Sequence, residues 1–382
     1  MSFKILHRSS KSRARVGKII TEHGVFSTPV FMPPGTKGAV KAIAPDDLQK
    51  IEAEIILVNA LHLFLRPGSA TVKKLGGIHK FMNWNKPILS DSGGFQVWSF
   101  NQRASTLGTA VSEEGVWFRS PLDGTKFFLS PEKSIEIQYE IGTDIIMAFD
   151  ECAPDNSDKE VIRKSMERTH RWARRSLQRH LELYNHSSHR PLFFGIAQGG
   201  SFEDLRRESI SFISSLKIDG IALGGETIGY NIPATLNLLD SVVDVLPPDK
   251  PLYTMGLGAS PRDIIEVVKR GVDMFDCVNP ARVARHGELY EGKVTIVNKE
   301  IRFESEFRDG LLKIGNSRFA EDDNPIDSEC DCYTCQHFSR AYLHYLYLTK
   351  EPLYLRLATI HNLRFIMRLV NKLRKAIIED NI

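Results

Sequence analysis

The chain of 382 residues is short of several features that would place a protein at once. Five cysteines are too few to staple a secreted disulfide scaffold. No eighteen consecutive positions are apolar, which speaks against a membrane-spanning helix, and the opening MSFKILHRSSKSRARVGK lacks the continuous apolar core of a secretory signal. Charge of one sign is missing too. With 50 Lys and Arg against 47 Asp and Glu the formal net charge is +3, so a polyanion would have to be met by local patches. These absences lead to the expectation of a cytoplasmic protein without membrane contact. What is present is a 42% hydrophobic composition, enough to bury a large core in one big domain with an appendage.

Eight short apolar runs end in Gly, Asp, Asn or Gln: 29–35, 55–63, 87–94, 144–151, 192–200, 220–225, 252–258 and 273–280. Such runs read as strands buried on both faces. The gaps carry helical patterns, such as PEKSIEIQYEIG and SPRDIIEVVKRG, several opening on Ser, Asp or Pro where a cap or first turn belongs. The alternation predicts an α/β fold, a (β/α)8 TIM barrel, in preference to an open doubly wound sheet. Residues 11–30 alternate around His23-Gly24 and predict an N-terminal hairpin closing the bottom of the barrel. From about residue 300 the rhythm changes. Residues 1–300 are therefore assigned to a barrel catalytic domain, and 301–382 to a zinc-binding subdomain with C-terminal helices completing the barrel.

Chemistry in such barrels sits at the C-terminal strand ends. The polar residues there are Asp91, Asp150, Gln198, Gly225 and Asp276. Each aspartate alone could be a helix cap or turn residue. Three converging on one mouth instead suit a pair in which one carboxylate attacks and another carries a proton, the equipment for breaking a glycosidic bond with retention. Glycines 93, 94, 199, 200, 224 and 225 leave room for a flat ligand, if they are not simply tight turns. Gln198 can both donate to and accept from a base edge, and Phe95 or Met255 can cover a ring. In DCVNPARVARHG, Asp276 precedes Arg282 and Arg285, pairing a carboxylate with cations that suit phosphates.

CDCYTC puts Cys330, Cys332 and Cys335 within six residues, and His361 follows in IHNLRF. Three thiolates and an imidazole make a closed structural site for one Zn2+. His337 and His344 compete as fourth ligand, but a histidine at the start of the next helix can approach from the opposite side, which favours His361. Further on, Arg364, Arg368, Lys372 and Lys375 share one face of a helix. That stripe is either a solvated face or a surface for a phosphate backbone.

The motifs SDSGGFQV, MAFDEC, GIAQGG, MGLG and DMFDCVNPARVARHG, followed by the C-x-C-x2-C…H cluster, resemble the tRNA-guanine transglycosylases of bacterial type, from about residue 11 to 375. The resemblance implies exchange of the wobble guanine in G-U-N anticodons (tRNAs for Asp, Asn, His and Tyr) for a 7-deazaguanine base on the queuosine pathway. It implies Asp276 as the nucleophile on the ribose anomeric carbon, giving a covalent intermediate, and Asp91 as general acid/base. Ser92, Gly93, Gly94, Asp150, Gln198 and Gly225 would bind the base, sandwiched by Phe95 and Met255. The loop Gly256, Leu257, Gly258, Ala259, Ser260, Pro261 and Arg262, with the segment Ala281, Arg282, Val283, Ala284 and Arg285, would hold the tRNA anticodon stem-loop. Zinc-centred homodimers are also implied.

Three departures from the family pattern stand out. Ala60 and Leu61 stand where Thr-Tyr is usual, Phe95 replaces a common tyrosine, and ETIGYN follows Gly224-Gly225 in place of a Leu-Ala-Val-Gly-Glu pattern. The last loop lines the 7-substituent of the base. Tyr230 stands where relatives taking the 7-aminomethyl precursor have a glutamate, although Glu226 could substitute from the other end of the loop. Thr227, Tyr230 and Asn231 offer polar partners to the diol of queuine, which leans the expectation towards queuine. Two further readings are a non-catalytic RNA-binding subunit, against which the retained Asp91 and Asp276 argue, and a nucleoside hydrolase, which would have no use for the metal appendage.

Overall fold

The computed structural model describes residues 2–103, 110–225, 227–297 and 300–382. Each of the eight apolar runs contributes one strand: Val30–Met32, Ile56–Val58, Ile88–Ser90, Ile145–Met147, Leu192–Ala197, Gly220–Leu223, Leu252–Thr254 and Met274–Asp276. From the second to the eighth each pairs in parallel with its sequence neighbours, and the last strand pairs with the first, placing Asp276 opposite Met32. Between the first and second strands the closure narrows to a bridge at Pro34 and Leu57, with the Gly35 N–H donating to Leu57 O at 2.6 Å. The sheet is thus a nearly closed barrel, as expected.

Alternation along each strand sorts side chains into two cores. Ile145, Met147, Phe194 and Ile196 point into the barrel, while Ile146 and Phe193 join the outer cluster under the helices. The helices follow their capping signals. Ser130 accepts the Lys133 N–H at 3.1 Å ahead of Pro131–Ile141, which stops at Gly142 in the left-handed conformation, φ 79°. The long charged segment forms Lys159–His186, and SFEDLRRESISF forms Glu203–Ser214.

The expected hairpin is present as Arg15–Thr21 and Gly24–Thr28, joined to a further antiparallel strand, Phe3–Arg8. Phe3, Ile19 and Phe26 close the interior core from below. An antiparallel insert of Ala110–Val111, Val116–Arg119 and Lys126–Leu129 lies between the third strand and Pro131–Ile141 and was not foreseen. Its short strands carry no run long enough to separate them from loop.

Helix Pro352–Ile378 packs along the first barrel strand and Asn279–Arg285, with Leu357, Leu363, Ile366 and Leu373 in the outer core. Its basic stripe is not a free cationic surface. Arg364 pairs with Glu52 and Asp331, Arg368 with Asp327, and the Lys372 ammonium stands 3.9 Å from Glu329. Three of its four cations thus meet acidic partners from other parts of the chain, which helical periodicity cannot report. No helix among the described residues is long and apolar enough to cross a membrane.

Candidate active site and metal centre

Three strands deliver aspartates to the same end of the barrel. Asp91 directly follows Ile88–Ser90, Asp150 lies three residues past Ile145–Met147, and Asp276 ends the last strand. Asp91 is buried and accepts the Ala60 N–H at 2.9 Å. Burial, reinforced by the charges of Asp276 and Asp150, pushes its carboxyl up to about 8 despite that hydrogen bond. Asp276 is held differently. Its Oδ1 accepts the Tyr253 hydroxyl at 2.6 Å and the Gly256 N–H at 3.0 Å, while Oδ2 accepts no hydrogen bond from the described residues. Burial raises this carboxyl too, against both donors.

Asp150 is clamped between Ser92 Oγ at 2.9 Å and Gln198 Nε2 at 2.7 Å, so two expected base-binding side chains already converge on it. Gly94 is sterically required there, since a Cβ would come within 2.5 Å of Asp150 Oδ1. Gly225, at φ +107°, passes the Gln198 amide in the same way. Phe95, partly exposed at the start of Gly94–Arg103, packs on Trp98, while half-buried Met255 follows Leu252–Thr254. Both ring-covering candidates therefore belong to the same end of the barrel. The arrangement supplies a carboxyl raised by burial and neighbouring charge, a second carboxyl with Oδ2 unbonded among the described residues, and a polar, glycine-lined edge.

The departure at Ala60 and Leu61 acquires an explanation. Ala60 contacts Asp91 through its backbone N–H, which any residue but proline provides. The loop after Gly225 differs from expectation. Glu226 lies outside the described residues. Tyr230 is 76% exposed, and Asn231 caps Ile232–Ser241 by accepting the Ala234 N–H at 3.1 Å. The Thr227 hydroxyl is donated to Asp155. These three polar residues are thus turned outward or engaged within the chain.

Two residues of this site escaped the sequence reading, Tyr253 and Arg206. Tyr253 reads as one more aromatic in an apolar strand. Arg206 sits in a charged helix, yet the spacing Arg206, Ile210, Ile213 puts it on the apolar face, a signal that was there to find.

Cys330, Cys332, Cys335 and His361 are buried, with their potential ligand atoms within 4.8 Å of one another. His361 Nδ1 lies 3.2 Å from Cys335 Sγ and 3.8 Å from Cys332 Sγ, near the edge lengths of a tetrahedron built on ordinary zinc bonds. His361 Nε2 faces Tyr290 O at 2.7 Å, which leaves Nδ1 as the ligand nitrogen. His344 is occupied with Ile314 O, and the His337 ring packs tilted against Tyr333. The cluster therefore suits a structural metal ion. It also braces the mouth: Tyr290 donates its hydroxyl to Ala259 O, and Asn362 donates to Pro280 O.

Of the segments expected to hold RNA, Gly256, Arg262 and Arg282 are exposed, and Ala259, Ser260 and Arg285 are half-buried. Leu257, Gly258, Pro261, Ala281, Val283 and Ala284 are buried and shape the backbone from beneath.

A family model described as queuine tRNA-ribosyltransferase matches residues 9–382. Curated proteins named queuine tRNA-ribosyltransferase are similar over nearly the whole chain. The one from Halothermothrix orenii is 47% identical over 380 residues, covering 100% of this chain and 94% of the relative. That from a Psychrobacter species is 48% identical over 377 residues, covering 98% and 93%. That from Staphylococcus aureus is 44% identical over 382 residues, covering 100% and 94%.

Proposed function

Because the chain belongs to the queuine tRNA-ribosyltransferase family, we propose that it is a tRNA-guanine transglycosylase exchanging the wobble guanine of G-U-N anticodons for a 7-deazaguanine base. The unequal holding of two carboxylates carries this reading: Asp91 is protonated near neutral pH, while Asp276 keeps one oxygen unbonded. In the first half-reaction Asp276 Oδ2 forms a bond to ribose C1′. The C1′–N9 bond breaks with its electron pair going to guanine, and Asp91 supplies the proton. In the second, the incoming base loses its N9 proton to Asp91, and N9 displaces Asp276 from C1′. Asp150, Gln198 and the Gly225 N–H hold the base edge, with Phe95 and Met255 on its faces. Arg262, Arg282 and Arg285 meet the phosphates of the anticodon loop.

The metal is proposed to be zinc with a folding role, supported by the closed Cys3His donor set. Exposed Tyr345 and Leu348, on the helix after the cluster, support a homodimer. A cytoplasmic location fits an enzyme acting on tRNA.

Incorporation of labelled guanine into unmodified tRNA tests the assignment, with free guanosine as control. Exchange on tRNA alone is expected, and release from guanosine alone would replace it with a nucleoside hydrolase. Competition by queuine and by the 7-aminomethyl base in the same assay identifies the incoming base, because the loop in question binds Thr227 to a carboxylate and turns Tyr230 away.

A further inference from the structure

Arg206 is a fully buried cation on helix Glu203–Ser214, and it forms no ion pair among the described residues. Its guanidinium spends its hydrogen bonds on backbone carbonyls: Nε on Gly200 O at 2.7 Å, and Nη1 on Ala197 O at 3.0 Å and Gly224 O at 2.7 Å. Nη2 has no hydrogen-bond partner among the described residues and stands 2.8 Å from where a Cβ on Gly225 would lie. Burial draws the guanidinium down to about 10, against the opposing charges of Asp155 and Cys152, so it remains charged at neutral pH. A buried charge held this way is costly unless it serves something.

The carbonyl of Gly224 and the N–H of Gly225 belong to one planar peptide unit. The carbonyl accepts from Arg206, whereas the N–H has no acceptor among the described residues. A cation on the oxygen draws electron density through the unit and makes its N–H a stronger donor, as in any hydrogen-bonded chain. That N–H lies beside Gln198, whose Oε1 is 3.2 Å from the same Gly225 Cβ position and whose Nε2 holds Asp150. We infer that Arg206 is a positioning residue that fixes and polarises the Gly225 N–H as the donor to the 6-oxo oxygen of the purine. The inference rests on the transglycosylase reading and deepens it. When the C1′–N9 electron pair moves onto guanine, part of the negative charge reaches that oxygen, and the buried cation answers it through the peptide.

The test compares guanine with 2-aminopurine, which lacks the oxygen. By calorimetry, Arg206→Lys should weaken guanine about tenfold and 2-aminopurine less than about twofold, the loss of part of one charge-assisted interaction. In exchange kinetics its KM for guanine should rise with KM for tRNA unchanged. Equal weakening of both bases, or of neither, would overturn the inference. A second measurement needs no variant: with glycine-labelled wild-type protein, the Gly225 amide proton should move downfield on binding guanine and not on binding 2-aminopurine. An unmoved resonance also overturns the proposal. Wild-type protein that shows the base pattern but never exchanges guanine into tRNA would instead overturn the transglycosylase reading.

Discussion

Both ends of the barrel carry aspartates drawn out of solvent, and the two sets are treated in opposite ways. At the bottom, Asp273 receives the Arg15 guanidinium through two hydrogen bonds, at 3.0 and 2.6 Å, and the Leu252 N–H at 2.8 Å. Asp144 receives the His23 and Ile88 N–H groups and faces the stacked rings of His23 and His79. At the top, Asp91, Asp150 and Asp276 form no ion pair among the described residues and meet only hydroxyls, amides and each other's charge. Burial works against ionisation at both ends. It is overcome at Asp144, which the hydrogen bonds from His79, His23 and Ile88 hold at about 2; it prevails at Asp91, raised to about 8, and also at Asp273, raised in spite of Arg15. The bottom supplies its aspartates with cations and imidazoles, and the top leaves them without any among the described residues, the pattern expected of reactive groups at this end of a barrel.

The comparison breaks most sharply on activity. Asp276→Asn should lower base exchange by at least about 10,000-fold and abolish the covalent adduct, because an amide is a poor nucleophile at an anomeric carbon. Circular dichroism should stay native. A gel-stable tRNA adduct from this variant would sink the nucleophile assignment. The converse change at the bottom, Asp273→Asn, leaves Arg15 buried without its charge partner and should cost about 3–5 kcal/mol in denaturant unfolding. The turnover of the folded fraction should remain near wild type, and a specific loss of turnover would dissolve the division between the ends.

Opposite pH slopes sharpen the contrast. Asp91 binds its proton more tightly folded than unfolded, so between about pH 4 and its folded value of about 8 stability falls as pH rises. Asp91→Asn should therefore be more stable than wild type at pH 8.5, by up to about 5 kcal/mol, although exchange is strongly slowed. In wild type, exchange should decline as pH rises through about 8, where the acid form is lost. A flat profile there would make Asp91 structural. Asp144 runs the other way. Its stabilisation is present above the unfolded value near 4 and is lost as pH falls towards its folded value of about 2. The corresponding acid limb, about 2 kcal/mol, should disappear in Asp144→Asn, which is checked by urea titrations at pH 2.5 and 5.

Much of this was legible in the chain because it is local. The eight strands were visible as apolar runs, and the cysteines lie within six residues. The aspartates stand at strand ends, where barrel geometry collects them. The partners of the basic stripe of Pro352–Ile378 were not legible, because Arg364 and Glu52 are 312 positions apart. Periodicity reports which face a side chain occupies, never what meets it there. The polar residues after Gly225 were likewise readable as types and not as directions: Tyr230 points out, while Asn231 closes a helix end.

What the sequence determined by itself is the set of groups and the order in which a parallel barrel must bring them round: Asp91, then Asp150, Gln198 and Gly225, then Asp276 on the last strand. Local patterns suffice for this because strand and helix periods are written in neighbouring residues. The state of those groups was decided only by the tertiary structure. Whether a buried aspartate sits near 2 or near 8, and whether Arg206 is a solvated charge or a cation locked behind two glycine turns, depends on desolvation and on partners from remote segments. Those energies arise from distances in space, which residue order does not contain until the barrel closes.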